Sequence, residues 1–147
     1  MPAQATATPQ KAIDAAKAPL IAYNQKNWDA VKASITADFV YDEVASGRKT
    51  QGADQAIALW KGWATAIPDS KATFHGAVAS GNTVVLEVTW KGTHKGPLQL
   101  PSGSIAPTGK TIELRSCNVV EIVDGKAKAQ RQYFDMGTLL QQIGAKA

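Results

Sequence analysis

A chain of 147 residues fits one domain and is long enough to hide roughly two-thirds of its unfolded surface. Its 16 basic and 12 acidic residues leave a net charge of +4. The basic residues are scattered, with Lys126, Lys128 and Arg131 the densest group, and this excludes the clustered stripe that a nucleic-acid partner requires. The lone Cys117 excludes an internal disulfide framework and a cysteine metal cluster, and no apolar run is long enough to span a membrane.

Residues 1–8 are rich in Ala, Thr, Gln and Pro and lack the basic and apolar regions of a secretory signal. They read as a loose arm ahead of a domain over 9–147, and a cytoplasmic location is expected. Thr8 and Pro9 read as the cap and first residue of a helix reaching about Lys26. Ile13, Ala16, Leu20 and Tyr23 share one face of it, and Pro19 is expected to kink or split it. Asn27 caps a short second helix over about 28–35. Residues 39–45 are rich in β-formers and read as a strand, which Ser46-Gly47 turns. A third helix over about 53–67 carries Ala56, Trp60, Trp63 and Ile67 on one stripe and stops at Pro68-Asp69.

The hydrophobic period then changes to two. Strands over 71–80 and 83–94 flank Gly81-Asn82, and strands over 111–123 and 126–134 flank Asp124-Gly125. Between these pairs, residues 95–109 are punctuated by Gly96, Pro97, Pro101, Gly103, Pro107 and Gly109. They read as a long loop with little to pack, bordering a pocket mouth and more mobile than the strands it joins. A last helix over about 136–143 has Met136, Leu139, Leu140 and Ile143 on its apolar face, with Gly144 as its stop. Helices followed by mostly antiparallel strands make an α+β fold, with helices on one face of a curved sheet and a cone whose open end can hold a ligand.

Five segments in order narrow the family: Gly92-Thr93-His94-Lys95-Gly96-Pro97-Leu98, Pro107-Thr108-Gly109-Lys110, Val123-Asp124-Gly125-Lys126, Tyr133-Phe134-Asp135, and Leu139-Leu140-Gln141-Gln142-Ile143-Gly144. With Ala37-Asp38-Phe39-Val40-Tyr41-Asp42 and the helix opened by Gly52, they resemble the SnoaL-like polyketide cyclases, or ester cyclases, of the nuclear transport factor 2-like superfamily. The resemblance covers the chain after residue 9. It implies a cone-shaped α+β barrel, a curved, mostly antiparallel sheet wrapped around N-terminal helices, and often a homodimer through the sheet. It also implies a small organic substrate, no metal, no organic cofactor, and an aspartate that acts as acid and base in closing a ring. Family membership licenses fold more than chemistry, so a cyclase or isomerase acting on a carbonyl compound stands beside a non-catalytic binder of a small apolar ligand.

Asp135 matches the family's catalytic aspartate. In an apolar cavity its pKa would rise, which suits proton transfer next to a carbonyl. It also directly precedes Met136-Gly137-Thr138, where an aspartate caps a helix. Arg131 and Tyr133 share its strand parity. Arg131 facing inward would bind an anionic group but weaken Asp135 as a base, and facing outward it is a solvated cation. His94 lies on the apolar face of its strand with Trp90, Val88, Leu86 and Val84, as a second acid/base group or a structural histidine. Of Asp42 and Glu43, neighbours on the first strand, one must face in. Asp42 lies near the general base of the related ketosteroid isomerases, yet their oxyanion-hole positions fall near Pro19 and Cys117, so that chemistry is disfavoured. The four tryptophans Trp28, Trp60, Trp63 and Trp90 serve either as core or as walls for a planar, polycyclic ligand, and Tyr41 is a candidate substrate-binding residue.

Overall fold

The computed structural model describes residues 8–145, so the arm expected over 1–8 lies outside the described residues except for Thr8. Helix α1 (Pro9–Asn24) begins where Thr8 Oγ1 accepts the Lys11 N–H. It runs through Pro19 as one helix, so the proline does not split it. Pro19 is buried on the side of α1 that faces the interior. Packing of that face holds the helix together across a missing N–H. Helix α2 (Trp28–Ser34), capped by Asn27, leads directly into β1 (Ile35–Glu43), which starts four residues earlier than the β-formers suggest. A short β2 (Arg48–Lys49) turns back on β1, and α3 (Ala53–Ala66) follows.

Four strands supply the rest of the main sheet: β3 (Lys71–Ser80), β4 (Thr83–Thr93), β7 (Thr111–Val123) and β8 (Lys126–Phe134). Its order is β2-β1-β8-β7-β4-β3, antiparallel except between β1 and β8. The sheet is curved but does not close into a barrel. The segment 95–109 holds its own small hairpin, β5 (Leu98–Leu100) and β6 (Gly103–Ile105). The expectation that little in this segment packs fails here. Leu98 is buried in an apolar cluster with Ile67, Ile112, Leu114 and Leu139, and the Lys95 and Gly96 N–H groups both donate to the Ala66 carbonyl. A Cβ on Gly96 would collide with the Thr65 carbonyl oxygen, so glycine is what lets the segment reach the end of α3. Helix α4 (Met136–Gln142) closes that side of the molecule.

One bulge decides which side chains of β8 face the core. Opposite β8, Glu121 pairs with Ala129 while the next residue, Ile122, pairs with Ala127, so Lys128 is an extra residue on β8. An extra residue reverses the alternation beyond it. Ala127 is buried before the bulge, and after it Gln130 and Gln132 are buried while Arg131 and Tyr133 are not. The main core gathers α1, α2 and α3 against the inner face of the sheet through Leu20, Tyr23, Val31, Phe39, Trp60 and Leu86, among others. Among the described residues no helix is long and apolar enough to cross a membrane.

Candidate functional site

A cavity of about 70 Å³, partly open to solvent, lies between α1, α3, α4 and the inner face of the sheet. Its walls are mostly apolar, with Leu20, Trp60, Ile112, Leu114, Phe134 and Leu139 prominent. Aromatic edges meet faces around it: Tyr23 against Trp90 at 5.3 Å and Tyr41 against Trp60 at 5.2 Å between ring centroids. An apolar cavity of roughly 150 Å³ admits benzene, so a single ring requires side chains of the wall to give way. A polycycle, which four tryptophans suggested, needs more space than this cavity offers as it stands.

The polar end of the cavity is built around Glu43. Phe39, Tyr41 and Glu43 alternate on the inner face of β1 and all three are buried. The Glu43 carboxylate receives the Tyr41 hydroxyl at 3.1 Å, Trp63 Nε1 at 2.8 Å, Ser46 Oγ at 2.6 Å and Arg48 Nη2 at 2.7 Å. Arg48 is the register partner of Glu43 across β1 and β2, and its Nη1 also donates to the Gln99 carbonyl. From Tyr41 the chain of bonds continues along the wall: Gln132 Nε2 donates to the Tyr41 oxygen, and Trp90 Nε1 donates to Gln132 Oε1 at 3.0 Å. Burial first, and the Glu43 charge second, hold the Tyr41 hydroxyl well above the usual tyrosine range, so it stays a donor. Tyr23 lies elsewhere on the wall, hydrogen-bonded to Ser70 Oγ at 2.6 Å, and burial pushes it up to about 12.

Tyr41, Trp60, Trp63 and Trp90 line the cavity. The structure places the other expected site residues elsewhere. Asp135 is at the surface, where Oδ1 accepts the Gly137 N–H at 3.1 Å and Oδ2 the Thr138 hydroxyl at 2.7 Å. It is the N-cap of α4, and the Thr138 bond first, then the Gly137 N–H, holds its carboxyl below the usual range, opposite to what the cavity reading required. Arg131 faces outward and meets Glu121 at 3.4 Å, and Tyr133 is 43% exposed. The β8 bulge turns Arg131 and Tyr133 outward, and Asp135, one residue past the strand, is held by the start of α4. Asp42 points away from the interior, and Glu43 is the inward carboxylate of the pair. His94 is fully buried, but beneath the returning end of 95–109 rather than on the cavity wall. Its Nδ1 meets the Thr108 hydroxyl at 3.1 Å and the Thr108 N–H at 3.3 Å. The segment 95–109 adjoins the lining without forming it. Cys117 is half-buried on the outer face, paired across the strands with Tyr133. Among the described residues no carboxylate or histidine lies on the wall itself.

The sequence reading missed Glu43 as the organising carboxylate, and Tyr23, Gln130 and Gln132 as wall residues. The signal for Glu43 was present, because it shares strand parity with the apolar Phe39 and Tyr41. For the glutamines the bulge concealed the parity.

A scan against protein-family models matches residues 13–143 to the SnoaL-like polyketide cyclase. No curated protein matches the chain. Among solved structures, a protein described as a SnoaL-like polyketide cyclase from Jannaschia sp. CCS1 superposes with a TM-score of 0.84 at 16% identity, covering 99% of this chain and 100% of that one. IdmH from Streptomyces antibioticus, described as a polyketide cyclase, gives 0.76 at 21% identity over 91% of this chain and 99% of that one. An epoxide hydrolase of M. tuberculosis, of the LEH-like kind, gives 0.71 at 23% over 92% and 90%. At these identities the likeness is one of fold.

The two buried tyrosines set a pH dependence. A hydroxyl whose folded pKa lies above its unfolded value of about 10 contributes stability that is complete below that value. The contribution is lost as pH rises through the folded value, about 12 for Tyr23. In a tyrosinate absorbance titration, Tyr23 and Tyr41 are expected to stay protonated until alkaline unfolding exposes them. Ionisation of either near pH 10 in the folded protein would contradict the burial described.

Proposed function

The chain belongs to the SnoaL-like polyketide cyclase family, and from that premise we propose that it is a cyclase or isomerase acting on a small, largely apolar carbonyl compound. The observation that carries this reading is the bonded chain from Arg48 through Glu43 and Tyr41 to Gln132 and Trp90, which brings one buried carboxylate to an apolar wall through a single hydroxyl. A substrate carbonyl seated beside Gln132 meets the amide hydrogen that Tyr41 does not use, a donor placed before the reaction starts, and such a donor stabilises the negative charge that grows on oxygen when an α-proton leaves. The proton has a route as well. It passes to the Tyr41 oxygen as the Tyr41 hydrogen moves to Glu43, and it returns along the same path.

Arg48, Ser46, Trp63 and Tyr41 all donate to Glu43, so its carboxylate takes a further proton only at the expense of one of these bonds. This restricts the chemistry to activated carbonyl compounds, such as a β-keto ester, whose α-protons are already acidic. Asp135 has no part in this mechanism, because it caps α4 at the surface. The absence of a carboxylate or histidine on the wall, among the described residues, favours the second reading, a binder without turnover.

Hydrogen–deuterium exchange at the α-carbon of a cyclic β-keto ester, followed by NMR, separates the two. The protein is expected to accelerate exchange. Tyr41→Phe is expected to lose at least about a hundredfold of that acceleration, the lower range for acid/base catalysis, and Asp135→Asn to retain it. Binding of the ester, seen in tryptophan fluorescence, without any acceleration would leave the binder reading in place. Loss of acceleration in Asp135→Asn would return the chemistry to that aspartate.

The outer face of the sheet supports pairing with a second copy of the chain. It exposes Val78 and Tyr133, and Tyr133 lines an open depression with His75, Glu87, Arg115 and Cys117. Sedimentation is expected to show a dimer at tens of micromolar, and Tyr133→Lys to shift it toward monomer. A wild-type monomer throughout that range would remove the dimer.

A further inference from the structure

Among the described residues, one buried polar atom of the wall has no hydrogen-bond partner. Gln130, 2% exposed, sits on β8 beside Tyr41, its register partner on β1. Its Nε2 donates to Asn118 Oδ1 at 3.0 Å, and Asn118 Nδ2 donates in turn to Ser116 Oγ at 3.3 Å. This row of buried polar side chains leaves Gln130 Oε1 without a hydrogen bond. Neighbouring polar groups of the wall have partners: Tyr23 with Ser70, Tyr41 with Glu43 and Gln132, Gln132 with Trp90. A buried acceptor left unbonded is costly, and the cost is removed by anything that donates to it. Asn118 holds the Gln130 amide through its Nε2, and Gln130 lines the cavity.

We infer that Gln130 is a specificity-determining residue that accepts a hydrogen bond from a hydroxyl on the ligand, so that the cavity selects a hydroxyl-bearing apolar ring, phenolic or enolic, over its ether or hydrocarbon counterpart. The inference rests on the reading of this cavity as the ligand pocket. It adds a second polar anchor to the carbonyl position at Gln132. A site built to bond a hydroxyl rejects an analogue lacking one, because the buried acceptor then stays unpaired.

The probes are p-cresol and anisole, which are isomers differing in the O–H group, and toluene. Binding is read from the fluorescence of the cavity tryptophans and checked by calorimetry. The wild-type protein is expected to bind p-cresol at least about tenfold more tightly than anisole, the scale of one unpaired buried polar group. Gln130→Met is expected to bring the two within about twofold while toluene still binds, a pattern that separates lost recognition from a damaged cavity. The wild-type comparison needs no variant, so it decides the matter even if Gln130→Met fails to fold.

Equal binding of p-cresol and anisole, or a preference that survives in Gln130→Met, would overturn the inference while leaving the pocket intact. Tighter binding of anisole would overturn it too, by showing that the amide row runs the other way and offers an N–H to the cavity. Failure of all three rings to bind would remove the pocket reading itself, and the inference with it.

Discussion

The carboxylate of Glu43 has no exposed surface, and the arrangement of the cavity's polar end follows from satisfying it. Moving a carboxylate out of water costs several kcal/mol unless its lone pairs are met. Four elements bring donors to it: β1 itself through Tyr41, the turn through Ser46, β2 through Arg48 and α3 through Trp63. The edge strand β2 is only two residues long, yet it holds Arg48 directly opposite Glu43. Other ion pairs of the molecule, such as Lys32 with Asp54 and Lys91 with Glu113, are mostly exposed and contribute at most about 1 kcal/mol each. The interaction at Glu43 differs in kind. It fixes the Tyr41 hydroxyl, and through Tyr41 it fixes Gln132 and Trp90.

The same network explains how an apolar cavity can address a polar atom. The walls supplied by Leu20, Ile112, Leu114 and Leu139 give a ligand area without direction. Direction comes from the few groups that the sheet presents in register, namely Tyr41 on β1 and Gln130 and Gln132 on the parallel neighbour β8. Arg48 couples this end to 95–109 through the Gln99 carbonyl, so that segment is tied to the site although it forms none of the lining.

Much of the fold was legible in the sequence because its signals were local. The Thr8 and Asn27 caps, the aromatic stripe of α3 and the Asp124-Gly125 turn each specify structure within a few residues, and β7 and β8 have the ends that their alternation indicates. Pro19 was misleading, because tertiary packing overrides a local breaker. The site was less legible. On β8 two polar sets, Arg131 with Tyr133 and Gln130 with Gln132, alternate with equal plausibility, and the choice between them depends on an unpaired Lys128 that only the facing strand reveals. Asp135 carries a family match and a capping position at once, and its chemistry is the same in both until its neighbours Gly137 and Thr138 are seen to occupy it. Glu43 stood beside Asp42 with no pattern to mark its partners, since Arg48, Trp63 and Tyr41 converge on it only in three dimensions.

The central claim is that Glu43 and Tyr41 act as one bonded unit at the cavity's polar end. A double-mutant cycle with Tyr41→Phe, Glu43→Gln and the pair, followed by urea denaturation, measures that directly. Residues joined in one buried network show coupling energies of about 0.5–3 kcal/mol, and the account predicts at least ~1 kcal/mol here. Stability losses that add to within about 0.5 kcal/mol would contradict it.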